Sequence, residues 1–271
     1  MEHRSSKPLN IGHRGASRLA PENTLAGARK ALEVGADLWE LDVAVTADGV
    51  LVLAHDDSLL RTSNARAVFP DREPWLLKDL TLAELRRLDF GSWFHSSTPP
   101  GPNPGDPATV GDYTAEPIPT LREALDFTRS HNWRVDVELK DLKVAPGERH
   151  VVEDTIALIQ ELGAMESVLL TSFQTRFLQR ARPLAPSLAM GILVFTPDPD
   201  PVGLVQRLQV QAYLPPASTT PPGEVARLRA TGIDVYPWTV NEPAAMRDYI
   251  AAGATGLLTD LPDLLRSLLD G

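Results

Sequence analysis

The feature that most constrains the fold is a regular alternation that runs along the whole chain. Short apolar runs rich in β-branched residues predict strands, and the amphipathic stretches between them predict helices. Such alternation is typical of parallel strands joined by crossover helices. We therefore predict an α/β fold, which is either a closed (β/α)8 barrel or an open doubly wound sheet.

Nine segments are predicted strands, although a (β/α)8 barrel has only eight places for them. They are Leu9–Gly12, Leu38–Val45, Val50–Ala54, Arg134–Leu139, Val168–Ser172, Leu188–Val194, Ala212–Leu214, Asp234–Trp238 and Gly256–Thr259. The second and third are joined only by a short turn at Ala47-Asp48-Gly49, which indicates a hairpin without a helix. Ala212–Leu214 is the weakest of the nine. No G-x-G-x-x-G follows the first strand, which disfavours a dinucleotide-binding sheet. We predict a TIM barrel that covers residues 1–271 as a single domain.

Several predicted helices begin with capping signals. Thr120 and Glu123 have the spacing of a capping box, and Asn23 precedes the first helix as a candidate N-cap. Pro243 one step inside a helix that follows Asn241 is a further start signal.

One segment, residues 57–117, interrupts the alternation. It contains one convincing helix, Thr81–Leu88. The stretch Thr98–Pro119, which runs two residues past the end of the segment, holds seven prolines and three glycines. A long irregular segment inside a compact domain is usually functional or a separate insertion. We predict a small inserted subdomain after the third strand, and the alternative is a surface loop without a role.

Polar side chains stand where the predicted strands end. The set is His13, Arg14, Glu40, Asp42, His55, Glu138, Lys140 and Trp238. Residues two apart in a strand share a face, as do Glu40 and Asp42. Because the C-terminal ends of barrel strands form the active-site mouth, we expect these side chains to meet there.

Three carboxylates that face one another raise each other's pKa unless a cation lies between them. Oxygen ligands suit Ca²⁺, Mg²⁺ or Mn²⁺ and match Zn²⁺ poorly. A cation of this kind, together with Arg14 and Lys140, makes a positive pocket for a phosphate. His13 and His55 supply a general acid and a general base near neutral pH. The set predicts metal-assisted cleavage of a phosphodiester.

Each residue of the set also has a purely structural interpretation. A lone histidine after a strand is most often a hydrogen-bonded structural residue, and Glu40 alone would pair with a nearby arginine. Glu138 and Lys140 would form an ion pair at the barrel rim, and Trp238 would fill the core. Their joint occurrence at consecutive strand ends favours the catalytic interpretation.

Two N-terminal stretches, IGHRGASRLAPENTLAG and WELDVAVTADGVLVLAHDDSLLRTS, resemble the signature of the glycerophosphodiester phosphodiesterase family. The resemblance continues in order through IPTLREAL, VDVELK, LLTSF, WTVN and GLLTD, and so spans nearly the whole chain. It implies a phospholipase-C-like barrel with a small insertion after the third strand. It also implies hydrolysis of glycerophosphodiesters, such as glycerophosphocholine, to sn-glycerol 3-phosphate and an alcohol.

The resemblance assigns a role to each candidate residue. It implies that one divalent cation, Ca²⁺ or Mg²⁺, is held by Glu40, Asp42 and Glu138. It implies that the acid and base are His13 and His55, in an order that the sequence leaves open. We assign substrate binding to Arg14, Lys140 and Trp238. Either water or the glycerol 2-hydroxyl is the attacking group.

The amino-acid composition excludes several classes of partner and site. With 26 Lys and Arg against 36 Asp and Glu, the net charge is −10, which argues against nucleic acid and anionic membranes as partners. The chain has no cysteine, which excludes disulfides and thiolate metal sites. It has neither a signal-peptide pattern nor an apolar run long enough for a membrane span, so we expect a cytoplasmic protein.

Two other functions stay open at this point. The first is a related phosphodiesterase activity on lysophospholipids or phosphoinositols. For these substrates the insertion would offer an apolar entrance, because it contains Phe69, Trp75, Trp93 and Phe94. The second is a phosphate- or metal-binding module without catalysis. The oligomeric state is not indicated by the sequence.

Overall fold

Eight parallel strands with helices between them form a nearly closed barrel in the computed structural model, which describes residues 7–97, 112–141 and 146–271. One further strand, the third along the chain, is antiparallel to the second. The strands are β1 (Leu9–Gly12), β2 (Leu38–Val45), β3 (Leu51–Leu53), β4 (Val135–Leu139), β5 (Val168–Ser172), β6 (Ala189–Leu193), β7 (Ala212–Leu214), β8 (Asp234–Val235) and β9 (Gly256–Thr259).

The strand order around the barrel is β8-β7-β6-β5-β4-β2-β1-β9. The two ends of this order are joined by backbone hydrogen bonds. Thr255 N donates to Val235 O at 2.9 Å, and Leu258 N donates to Pro237 O at 3.1 Å. The predicted TIM barrel is confirmed, and the weakest predicted strand, Ala212–Leu214, is one of its eight parallel strands.

Nine predicted strands fit eight places because β2 and β3 form a hairpin. Val43 pairs with Leu53 and Val45 with Leu51 in antiparallel register. The turn contains Gly49 at a φ of 82°, a left-handed conformation that favours glycine. Strand β3 therefore lies beside β2 and takes no place in the parallel barrel.

Strand β8 is shorter than the sequence predicts. We expected it to extend from Asp234 to Trp238, but β8 ends at Val235. Pro237 has no N–H to donate, so the regular ladder stops before it. Trp238 lies beyond the strand, where its backbone N–H donates to Pro215 O at 3.1 Å.

The helices cover the outside of the barrel and the segment after β3. They are α1 (Leu25–Glu33), α2 (Ala65–Val68), α3 (Leu82–Leu85), α4 (Ser92–Ser97), α5 (Leu121–Ser130), α6 (Val151–Glu161), α7 (Thr175–Leu184), α8 (Pro201–Leu208), α9 (Pro222–Arg229), α10 (Pro243–Ala251) and α11 (Pro262–Asp270). Two 3₁₀ turns lie at Leu77–Asp79 and Pro146–Arg149. The predicted capping box is present, since Thr120 Oγ1 accepts from Glu123 N.

The main core lies between the barrel strands and the surrounding helices. All residues of β2, β4 and β5 are buried, as expected for strands covered on both faces. Among the described residues, no helix has the length and apolar character that crossing a membrane requires.

A second hydrophobic cluster packs the segment after β3 against the hairpin. Leu59, Trp75 and Leu85 contribute to it from the segment, and Val52 and Ala54 contribute from the hairpin. The predicted helix Thr81–Leu88 is present only as the shorter α3, and the segment also contains α2 and α4, which were not predicted. Helices of four to six residues are too short to give a helical period in the sequence. Residues 98–111 of the proline-rich part lie outside the described residues, and the division into a subdomain stays a prediction.

Candidate active site

A pocket of about 500 Å³ opens among the side chains that follow the C-terminal ends of the barrel strands. Seven of the eight predicted site residues line it, namely His13, Arg14, Glu40, His55, Glu138, Lys140 and Trp238. The eighth, Asp42, is 1% exposed and lies beside Glu40 and Glu138. The barrel thus brings the whole predicted set to one place.

Three carboxylates form the centre of this site. Glu40 and Asp42 share a face of β2, and the parallel register of β2 with β4 places Asp42 opposite Glu138. One carboxylate oxygen from each residue lies within 4.8 Å of the other two, and all three side chains are buried. Strand register, rather than a loop conformation, therefore creates the cluster.

The cluster has the properties of a divalent-cation site. Glu40 Oε2 accepts a hydrogen bond from Arg14 N at 2.8 Å, whereas Glu40 Oε1 is buried with no hydrogen-bond partner among the described residues. Burial raises the pKa of Glu40 well above its usual range, and the charges of Asp42 and Glu138 raise it further. A hard cation would satisfy the oxygen and offset this repulsion. The residues present therefore fit Ca²⁺, Mg²⁺ or Mn²⁺.

Two cationic side chains border the cluster. Lys140 Nζ lies 2.9 Å from Glu138 Oε1 and 3.5 Å from Asp42 Oδ1, and Arg14 Nε lies 3.3 Å from Asp42 Oδ2. Burial acts to raise the pKa of Asp42, but Lys140 and Arg14 hold it below its usual value. Both cations also line the pocket, so they can contact an anion there.

Asn23 orients Asp42 and does not cap helix α1. Its Nδ2 donates to Asp42 Oδ2 at 2.8 Å, and its Oδ1 accepts from Asp42 N at 3.0 Å. The expected N-cap role is wrong, because Thr24 accepts from Gly27 N in that position. Asn23 adopts a φ of 54°, a conformation that asparagine tolerates better than most residues.

A carboxylate holds each of the two histidines. His13 Nδ1 lies 2.6 Å from Asp260 Oδ1, and His55 Nδ1 lies 2.7 Å from Asp56 Oδ1. An ionised carboxylate only accepts hydrogen bonds, so Nδ1 carries the hydrogen in both rings. This leaves Nε2 of each ring for proton exchange in the pocket.

Asp260 is itself held firmly. Asn241 Nδ2 donates to its Oδ2 at 2.6 Å, and Ser17 Oγ donates to its Oδ1 at 3.1 Å. Burial acts to raise the pKa of Asp260, but the hydrogen bond from His13 and those from Asn241 and Ser17 lower it to about 2. Asp260 is therefore ionised at neutral pH.

A chain of ion pairs links the second histidine to Arg14. Arg61 Nε donates to Asp56 Oδ2 at 2.7 Å, and its two terminal nitrogens donate to Glu22 at 2.6 and 2.7 Å. Arg14 Nη1 donates to the same Glu22 at 2.9 Å. The hydrogen bond from His55 is the largest effect that lowers the pKa of Asp56.

Three aromatic rings form one wall of the pocket. Phe173 and Phe195 stack with their centroids 3.9 Å apart, and the ring of Trp238 stands edge-on to Phe173 at 5.5 Å. Trp238 Nε1 donates to Leu214 O at 2.8 Å, which fixes the ring. Phe195 is 72% exposed, so this wall presents apolar surface to a ligand.

Residues 13–264 match the Glycerophosphoryl diester phosphodiesterase family. The chain belongs to this family. The family and the enzyme class, a phosphoric diester hydrolase, are therefore confirmed.

Similar proteins agree with this membership along the whole chain. The glycerophosphodiester phosphodiesterase of Caldanaerobacter subterraneus is 32% identical, over 97% of this chain and 98% of its own. An Oleispira antarctica phosphodiesterase, solved with the product sn-glycerol-3-phosphate, is 28% identical with a TM-score of 0.80, and 98% of each chain is covered. A putative glycerophosphoryl diester phosphodiesterase from Silicibacter pomeroyi is 28% identical with a TM-score of 0.82, over 99% of this chain and 94% of its own.

This member of the family also has a buried acid inside the barrel. Asp136 shares the inward face of β4 with Glu138 and lines the pocket. Its Oδ1 accepts from Thr171 Oγ1 at 2.7 Å, and burial raises its pKa to about 8. Asp136 is therefore mainly protonated at neutral pH in the absence of a cation.

The predicted set left out Asp260 and Asp56, which hold the histidines of this phosphodiesterase, and also Arg61 and Phe195. Asp260 follows strand β9, so the rule that pointed to polar residues at strand ends also applied to it. Asp56 directly follows His55 and carried the same signal. Arg61 lies in the irregular segment, where no periodicity indicated which way it faces. Phe195 follows β6 in a loop whose direction only the fold shows.

Proposed function

We propose that the protein hydrolyses glycerophosphodiesters to sn-glycerol 3-phosphate and an alcohol in a reaction that depends on a divalent cation. The observation that carries this proposal is one pocket in which two carboxylate-held histidines and two cationic side chains, Arg14 and Lys140, lie beside a buried three-carboxylate cluster. Membership of the family supports the substrate class.

The carboxylates Glu40, Asp42 and Glu138 would hold the cation. When bound, it supplies Lewis-acid stabilisation of the negative charge on the phosphate oxygens. Arg14 and Lys140 line the pocket next to this cluster and would bind the same oxygens. Negative charge that develops on the phosphate in the transition state would thus be stabilised by groups that are already in position.

The two histidines would move the protons. One Nε2 takes the proton from the attacking hydroxyl, which belongs to water or to the 2-hydroxyl of glycerol. The other Nε2, which starts protonated, gives its proton to the oxygen of the departing alcohol as its bond to phosphorus breaks. Attack by the 2-hydroxyl would give a cyclic phosphate, which water would then open to sn-glycerol 3-phosphate. Asp260 and Asp56 keep both rings in the tautomer that this exchange needs.

The aromatic wall, which includes Trp238, would contact the carbon-bound hydrogens of the glycerol moiety. Its apolar faces line the same pocket as Arg14 and Lys140, which would bind the phosphate. Binding in this way orients the ester for attack without adding charge to the pocket.

The decisive experiment measures glycerol 3-phosphate release from a panel of glycerophosphodiesters, with Ca²⁺, Mg²⁺ or Mn²⁺ and after exhaustive chelation. We expect release that requires a cation. Activity unchanged by chelation would contradict the role of the carboxylate cluster. A panel that also contains lysophosphatidylcholine and glycerophosphoinositol decides between this activity and its two related alternatives. A complete lack of turnover would favour a binding module.

We predict that His13→Ala and His55→Ala each lower kcat at least about 100-fold, because each removes one proton-transfer group. His131→Ala is the matched control, since His131 is exposed and bonds to the end of its own helix, where Phe127 O and Ser130 Oγ are its partners. The measurement is steady-state turnover of glycerophosphocholine. Near-normal turnover of either active-site variant would contradict the acid–base assignment.

A further inference from the structure

A second cavity of about 210 Å³ adjoins the active-site pocket. Four residues line both cavities, namely His55, Asp56, Asp57 and Lys140. The proposed function needs only the larger pocket, and no role has been given to the smaller one, which we call the side cavity.

The walls of the side cavity are mainly apolar. Ala44 and Val45 contribute from β2, Ala54 follows β3, and Leu76 and Leu77 come from the segment after the hairpin. The cavity therefore lies between the hairpin and the segment that packs over it. Lys78 is the one further residue that borders it.

Small side chains of the hairpin leave this space open. The face of β2 that carries Glu40 and Asp42 continues to Ala44, because residues two apart share a face. Ala54 N donates to Asp42 O at 3.0 Å, so Ala54 also lies next to the carboxylate cluster. Because alanine is small, neither Ala44 nor Ala54 fills the space, and a cavity is left beside the carboxylate cluster.

We propose that the side cavity is the subsite for the alcohol part of the substrate, and that it selects diesters of short, uncharged alkyl alcohols. This inference rests on the proposed function. A phosphate bound by Lys140 lies at the border of the two cavities, so a group esterified to it can extend into the smaller one. The glycerol moiety would then lie along the aromatic wall of the larger pocket.

The size and chemistry of the side cavity define its occupant. At roughly 30 Å³ for each water-sized group, 210 Å³ has room for about seven non-hydrogen atoms. The five apolar wall residues offer no polar side-chain partner to a polyol. The two lysines, Lys78 and Lys140, balance the two acids Asp56 and Asp57, so the border offers no net negative charge to a cationic headgroup.

The test compares the methyl and n-butyl diesters of sn-glycerol 3-phosphate. Each methylene that enters an apolar site contributes roughly a fourfold gain in binding. We therefore expect the wild-type kcat/KM for the butyl diester to exceed that for the methyl diester by roughly 10- to 60-fold. The methyl group is too small to depend on the side cavity, so it reports on the basic reaction.

Filling the side cavity should remove this preference. We expect Ala44→Leu to bring the butyl-to-methyl ratio of kcat/KM close to one. Ala44→Val, whose β-branched side chain suits a strand, should lower the ratio part of the way and keeps the test valid if leucine prevents folding. Ala47→Leu is the matched control, because Ala47 is exposed in the turn of the same hairpin. It should keep the wild-type ratio.

The outcomes separate the subsite from the reaction. Two results would overturn the alcohol subsite alone. One is equal wild-type kcat/KM for both diesters. The other is a butyl-to-methyl ratio of kcat/KM that stays unchanged in Ala44→Val and in folded Ala44→Leu. The subsite would also be overturned if glycerophosphocholine had a higher kcat/KM than the butyl diester and Ala44→Val removed that difference. The cavity would then select a cation. Failure of the wild-type protein to hydrolyse any diester would overturn the proposed function and the subsite together.

Discussion

At the scale of single residues, the site depends on side chains that hold the reacting groups in position. Asp260 binds His13, and Asp56 binds His55, so each ring has one defined tautomer and orientation. Asn23 does the same for Asp42 through two hydrogen bonds. Such positioning contacts matter because a small displacement of a reacting group costs much of its catalytic effect.

We predict that Asp260→Asn lowers kcat about 100-fold, because the amide can present its N–H to His13 Nδ1 and so favour the wrong tautomer. KM should change little, since Asp260 does not line the pocket. The measurement is steady-state kinetics on glycerophosphocholine. Asp270→Asn, an exposed acid at the end of α11, is the control. An Asp260→Asn enzyme with normal kcat would contradict the positioning role.

The same aspartate should contribute to stability in acid. Its pKa in the folded protein is about 2, below the ordinary value of 3.8, so its contribution is present above pH 3.8 and lost as the pH falls through 2. The shift corresponds to about 2 kcal/mol. We predict that the difference in unfolding free energy between pH 6 and pH 2 is smaller by about this amount in Asp260→Asn. Denaturant titrations at both pH values measure it, and an unchanged difference would contradict the prediction.

At the scale of secondary-structure elements, the β2–β3 hairpin organises most of the site. Strand β2 carries two of the three clustered carboxylates, and His55 follows β3 within two residues. The segment after the hairpin returns Arg61 to this edge, where it joins Asp56 to Glu22. The segment thereby acts on the second histidine through an ion-pair chain.

We predict that Arg61→Gln lowers kcat about tenfold, because Asp56 and Glu22 lose the guanidinium group that holds them in place. The unfolding free energy should fall by only about 0–1 kcal/mol, since Arg61 is 45% exposed and solvent screens its ion pairs. Arg122→Gln, which breaks an exposed ion pair with Glu161, is the control for stability and activity. Equal activity of the two variants would contradict a link between Arg61 and the site.

At the scale of the whole molecule, charge is distributed unevenly. The net charge of −10 argues against polyanionic partners, yet the pocket contains Arg14 and Lys140 beside a cluster that suits a cation. Three buried carboxylates also destabilise the cation-free fold, because burial raises the pKa of Glu40 and of Glu138. A bound cation should therefore stabilise the entire barrel.

We predict that a divalent cation at 100 times its Kd raises the unfolding free energy by about 2.7 kcal/mol, which corresponds to several degrees in Tm. Glu40→Gln should lose this shift, because it removes one charged ligand, while Glu161→Gln on the exposed face of α6 should keep it. Thermal unfolding with and without chelator measures the effect. A full cation-induced shift in Glu40→Gln would show that the cation binds elsewhere.

The barrel and its site differ in how much of them the sequence predicts. Strand positions were predictable because apolar β-branched runs mark them, and only ends such as that of β8 were wrong. Helices α2 and α4 of the segment after β3 were not, because helices of four to six residues depend on packing contacts rather than on their own periodicity. The Asn23 cap was wrong for a similar reason, since its amide binds Asp42, a residue distant in sequence.

The sequence by itself determined which chemical groups reach the site. Alternation of period two places Glu40 and Asp42 on one face, and parallel strands deliver their C-terminal residues to one end of the barrel. The tertiary structure alone decided which groups bind each other. Asp260 meets His13 across 247 positions because barrel closure sets β9 beside β1. The side cavity likewise exists only where the hairpin and the following segment pack, and no local pattern specifies the space between them.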